Sequence, residues 1–75
     1  MTWEELKEKA KGINGVLICG SNSMMPEHIW LNELIFYKNG RIILDGTDDE
    51  YCSITHTIAN NRTPEQMWKI MEALK

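Results

Sequence analysis

A chain of 75 residues with eight basic and eleven acidic side chains has room for one domain, 1–75, and its net charge of −3 is the wrong sign for binding nucleic acid mainly by phosphate neutralisation. Hydrophobic residues make up 43% and charged residues 25%, the balance of a folding chain, which excludes a disordered or low-complexity one. No apolar run approaches the roughly 20 residues that span a bilayer. The start Met1-Thr2-Trp3-Glu4-Glu5 has neither the basic nor the apolar region of a secretory signal, and Cys19 and Cys52 are too few for a disulfide scaffold, so the expectation is a cytoplasmic protein.

Thr2 and Glu5 form a capping box, and Trp3, Leu6, Ala10 and Ile13 follow at helical spacing, which predicts a first helix from about Trp3 to Lys11 with Gly12 as its stop. Val16-Leu17-Ile18-Cys19, closed by Gly20, reads as a short strand. After Pro26, the run His28 to Tyr37 reads as one long strand. Asn39-Gly40 then predicts a two-residue type I′ turn into Arg41 to Asp45. That turn would set Tyr37 against Ile42 and Phe36 against Ile43. Tyr51 to Ile58 alternates as a strand with one wet face. Thr63, Pro64 and Gln66 make the strongest helix start, and Met67, Ile70, Met71 and Leu74 then fall on one stripe. The expected fold is a small α+β domain of order α-β-β-β-β-α, with a mainly antiparallel sheet and N- and C-terminal helices packed on it.

Cys19, His28, Cys52 and His56 are zinc-binding residue types. Residues 52 and 56 on one strand would stand about 13 Å apart, too far to meet on one metal, so no metal or cofactor is expected; the two thiols are read as buried, His56 as a core or rim residue bonded to a backbone carbonyl, and His28 as a loop or strand-entry residue. Ser21 and Ser23 after Gly20 read as a loop, and Asp48-Asp49-Glu50 lacks the spaced pattern of a calcium loop. No residue is assigned as catalytic, and a chain this short has little room for a deep pocket, so the protein is not expected to be an enzyme.

The helix, sheet, helix order and the length are similar to those of a double-stranded-RNA-binding domain. Met25-Pro26-Glu27-His28 and Asn61-Arg62-Thr63-Pro64-Glu65 do not carry that family's Gly-Pro-x-His loop or its lysine-rich helix start, and no family is assigned.

The hairpin strands are apolar on both faces, and two short helices cover about one face of a sheet. A second apolar face is either covered by splitting the helices between the two sides or left as a docking surface. Trp30, Leu34, Phe36, Ile43 and Trp68 are the residues expected to bind a partner. The functional expectation is a small non-enzymatic protein-binding module acting as a regulator or inhibitor of a larger protein, a role for which a regulator of the phage or mobile-element type is conceivable. Its partner would be another protein or its own copy in a homodimer. The alternatives are a nucleic-acid-binding domain and a small histidine or thiol enzyme.

Overall fold

Helix α1 (Trp3–Lys11) and helix α2 (Pro64–Leu74) begin in the same way. The Thr2 hydroxyl accepts the Glu5 N–H at 3.2 Å and the Glu5 carboxylate accepts the Thr2 N–H at 3.4 Å. Thr63 and Gln66 repeat the exchange at 3.3 and 2.9 Å, with Pro64 in the first turn where a missing N–H costs nothing. The first helix matches its predicted limits and the second its predicted start. The computed structural model describes residues 1–18, 27–47, 50 and 53–75, and for 47, 53 and 54 the backbone alone.

Between the helices lies a five-stranded antiparallel sheet in chain order: β1 (Val16–Ile18), β2 (His28–Leu31), β3 (Leu34–Tyr37), β4 (Ile42–Thr47) and β5 (Ser53–Ala59). The α+β class stands, and the order is α-β-β-β-β-β-α, with five strands where four were expected. The extra strand comes from the run 28–37, which is a hairpin and not one strand. Asn32 takes a φ of 56°, a left-handed conformation that asparagine tolerates, and reverses the chain so that Leu31 pairs with Leu34 and Trp30 with Ile35.

The β3–β4 register also differs by one residue. Phe36 pairs with Ile42 and Ile35 with Ile43, because Lys38, Asn39 and Gly40 form a three-residue loop in which only Gly40 has positive φ, at 96°. The Asn39 side chain accepts the Arg41 N–H at 3.0 Å, stabilising the turn without a left-handed Asn39. In β5 the register shifts between Ile42 and Ile43, which pair with Ala59 and Thr57. Ile58 is the extra residue of this bulge and is 52% exposed, off the face that strict alternation gave it.

These pairings produce a continuous row across all five strands: Leu17, Ile29, Phe36, Ile42 and Ala59. Trp3, Leu6 and Ala10 of α1 and Met67 and Met71 of α2 pack on it, and Leu6, Ala10, Ile29, Phe36, Ile42 and Met71 have no exposed surface. Both helices therefore lie on one side of the sheet. Phe36 sits at the middle of this core, and Phe36→Ala should cost about 3–5 kcal/mol in a chemical melt through the cavity it leaves. A loss under about 1 kcal/mol would contradict this placement.

Gly40 is buried against the approach to α2. Its carbonyl accepts the Arg62 N–H at 2.9 Å, and a Cβ there would stand 2.9 Å from the backbone N and O of Arg62. Backbone atoms cannot swing aside, and a β-branched residue resists positive φ. Gly40→Val should therefore lower stability by at least about 2 kcal/mol, read as a shifted denaturation midpoint.

Candidate docking face

On the side away from the helices a second row crosses all five strands: Val16, Trp30, Ile35, Ile43 and Thr57. Beside it run Ile18, His28 and Tyr37 in one direction and Asp45 and Thr55 in the other. No described helix covers this face. Val16 is 58% and Trp30 41% exposed. Ile35, on the central strand, is buried between Trp30 and Ile43 yet stands apart from the helix-side core.

Two contacts stiffen the face. The Trp30 indole N–H donates to the Asn32 carbonyl at 2.8 Å, so its polar atom is satisfied within the chain and its ring is held in place. The His28 and Tyr37 rings lie 5.2 Å apart between centroids and tilted by 39°.

Of the five residues expected to bind a partner, the structure brings Trp30 and Ile43 together here. Phe36 is fully buried in the helix-side core, which corrects its expected role. Leu34 pairs with Leu31 and Leu44 on the helix side and lines a depression of about 470 Å³ with Asn32, Glu33, Leu44 and Leu74. Trp68 belongs to the helix layer, where the Lys9 ammonium stands 4.9 Å and the Lys75 ammonium 6.0 Å from its ring centre. The cause of the misplacement is the turn at Asn32. Counting by twos along an unbroken strand puts Trp30, Leu34 and Phe36 on one face, whereas a two-residue turn sends Trp30 to the opposite face from the other two. Ile35 and Tyr37 were missed for the same reason, and the polar pair Asn32-Glu33 inside an apolar run was the available signal; Val16 and Ile18 join the face from β1.

His28 and His56 occupy opposite faces, His28 beside Tyr37 and His56 opposite Leu44 on the helix side, so they cannot ligate one metal. Cys19, Cys52, Ser21 and Ser23 lie outside the described residues, as do Asp48 and Asp49. Among the described residues no three His, Cys, Asp or Glu side chains cluster as a metal site, and no helix is long and apolar enough to cross a membrane.

The charges are concentrated elsewhere. Glu27, just before β2, pairs with Lys7 of α1 and, at 3.6 Å, with Lys38 of the β3–β4 loop. Lys7 also meets Glu4 at 3.4 Å, and Lys11 meets Glu8 at 2.9 Å. Glu27 thus ties α1 to the sheet and the hairpin loop. The hydrogen bond from Lys7 holds the Glu27 carboxyl below its ordinary 4.5, while the bond to Glu27 raises the Lys7 ammonium. A depressed carboxyl contributes stability above its unfolded value and loses it as pH falls through the folded one. Glu27→Gln should therefore melt earlier than the native chain at about pH 7, with the gap closing by about pH 2 to 3. An equal gap at both pH values would remove the ion pair as its source. No family model matches the chain, and neither a curated protein nor a solved structure matches it.

Proposed function

We propose that this chain is a non-enzymatic protein-docking module of the cytoplasm, a small regulator or inhibitor that acts by seating its open sheet face on a protein surface. The observation that carries this reading is the row Val16, Trp30, Ile35, Ile43, an apolar strip across four strands with a tryptophan fixed in place at its middle. Interfaces draw most of their affinity from a few such anchors, and an indole whose N–H is already bonded can be buried without orphaning a donor.

Two features favour protein over nucleic acid as the partner. Lys7, Lys11 and Lys38 each stand beside a carboxylate and Lys9 and Lys75 lie over Trp68, so five of the eight basic groups are engaged within the fold. The open face carries apolar groups where a phosphate-binding one would present cations. The depressions beside Leu74 are lined by Leu31, Leu34 and Leu44 with asparagines, and they place no nucleophile beside a base.

The test is affinity capture with the native chain, with Trp30→Glu on the open face and with Lys69→Glu on the exposed helix layer. A protein held stoichiometrically by the native chain and by Lys69→Glu, and lost with Trp30→Glu while its circular dichroism stays native, is the expected result. Equal capture by both variants would move the docking surface off this face.

A further inference from the structure

We infer that β5 pairs edge to edge with β5 of a second copy, antiparallel about a two-fold axis at His56, joining the two sheets into one. β5 (Ser53–Ala59) ends the sheet, and among the described residues no strand lies beyond it. Alternate N–H and C=O groups along such an edge point outward, and what matches them is another extended main chain. Edges are ordinarily guarded by shortness, by lysine or by proline. β5 has seven residues with no charged side chain and no proline, whereas β1 at the other edge has three residues. The bulge at Ile58 lies towards its end, and Ser53 to Thr57 keep an unbroken register with Thr47 to Ile43.

The order of residues along β5 names a second copy as the occupant. Ser53-Ile54-Thr55-His56-Thr57-Ile58-Ala59 reads nearly the same in both directions from His56. A copy of the strand laid antiparallel about that residue places position 55 opposite 57, 54 opposite 58 and 53 opposite 59, with the two His56 facing each other. Threonine then meets threonine, isoleucine meets isoleucine, and serine meets alanine. Threonine pairs and β-branched pairs are among those that stabilise antiparallel strands. Moving the axis to Thr55 or Thr57 sets His56 against an isoleucine position instead. A two-fold contact needs a surface complementary to itself, and this strand provides one.

The surroundings leave room for it. Thr55 and Thr57 lie on the open side and His56 on the helix side, and all three are exposed, so the helix layer stops short of this edge. Ile58, 52% exposed in the single chain, gains position 54 of the second copy as a neighbour. Asp45 stands opposite Thr55 on β4, and its N–H donates to the carbonyl of Glu33. Across the seam Thr55 meets Thr57 and then Ile43, so neither carboxylate faces its own copy. Glu50 precedes the strand and Arg62 follows it, opposite in sign, and reversal brings unlike charges to each end. The axis stands perpendicular to the sheet, which keeps all the helices on one side and both docking faces free on the other. The pairing therefore goes beyond the docking reading and does not depend on it.

The experiment is light scattering on the eluting full chain over a concentration series up to about 500 μM. An edge contact is smaller than a standard interface, so the expected dissociation constant is on the order of 100 μM. His56→Gln should leave it within about threefold, because a neutral side chain still pairs across the axis. His56→Lys and His56→Glu, each facing like charges across the axis, should raise it at least about tenfold. An equimolar mixture of those two variants should associate at least as tightly as the native chain, because unlike charges then face each other. Trp30→Glu, on the docking face, should leave the mass unchanged. Circular dichroism on every variant separates dissociation from unfolding. A native chain that is monomeric throughout overturns the pairing, while the capture experiment alone still decides the docking reading. A dimer indifferent to both His56→Lys and His56→Glu, or one lost with Trp30→Glu, overturns contact through this edge. A mixture that stays monomeric overturns the axis at His56.

Discussion

The packing of Leu6, Ala10, Met67 and Met71 on the row Leu17, Ile29, Phe36, Ile42 puts both helices on the same side of a five-stranded sheet, and the rest of the molecule is arranged around that contact. Burying a side chain of this size contributes about 1.5–3 kcal/mol, and a chain this short has few of them to spend on one core. Splitting the helices between two faces would have made two cores of half the depth. With both on one side, Phe36, Ile29 and Ile42 are sealed, and the opposite row is left facing outward.

Which residues are sealed is decided by two turns. Asn32 reverses the chain between β2 and β3, and Gly40 completes the loop between β3 and β4. Because side chains alternate along a strand, each turn sets the parity of everything after it. With the loop at Lys38-Asn39-Gly40 three residues long, Phe36 and Ile42 share the covered face while Ile35 and Ile43 share the open one. Gly40 has a second task, since its carbonyl receives the Arg62 N–H and so fixes where the chain begins to turn into α2. The hairpin loop, the arrival of α2 and the depth of the core are coupled through that one close approach.

This coupling explains which parts were legible in the sequence. The helices were, because a capping box and an i, i+3, i+4 stripe are local signals that tertiary structure had no reason to override. The class of fold and the presence of a surplus apolar face were legible from the same patterning. The strand count was not, because Asn32-Glu33 interrupts an apolar run with no glycine or proline to announce a reversal. The register was misjudged because Asn39-Gly40 fits both a two-residue and a three-residue loop, and only the φ of Asn39 separates them. The missed reversal put Phe36 on the face of Trp30 and the register error put Ile43 on the face of Phe36, so a docking surface composed by counting along the strands mixed core with exterior. The Ile58 bulge had no signature in the alternation of β5.

Trp30 shows how tightly the open face is tied to the fold beneath it. Asn32 sets the reversal that turns Trp30 away from the helices, and the carbonyl of the same residue receives its indole N–H. One position thus determines both the side on which the ring lies and the orientation in which it is held. A tryptophan left free to rotate would lose that freedom on docking, whereas a ring already fixed by folding does not, which is the advantage of a preorganised anchor. Its neighbours work in the same direction: Ile35 is buried beside it without help from any helix, so the strip is firm before a second surface arrives. The outward row is therefore a built surface, with its polar atom satisfied and its central residue packed, and not merely the side the helices failed to reach.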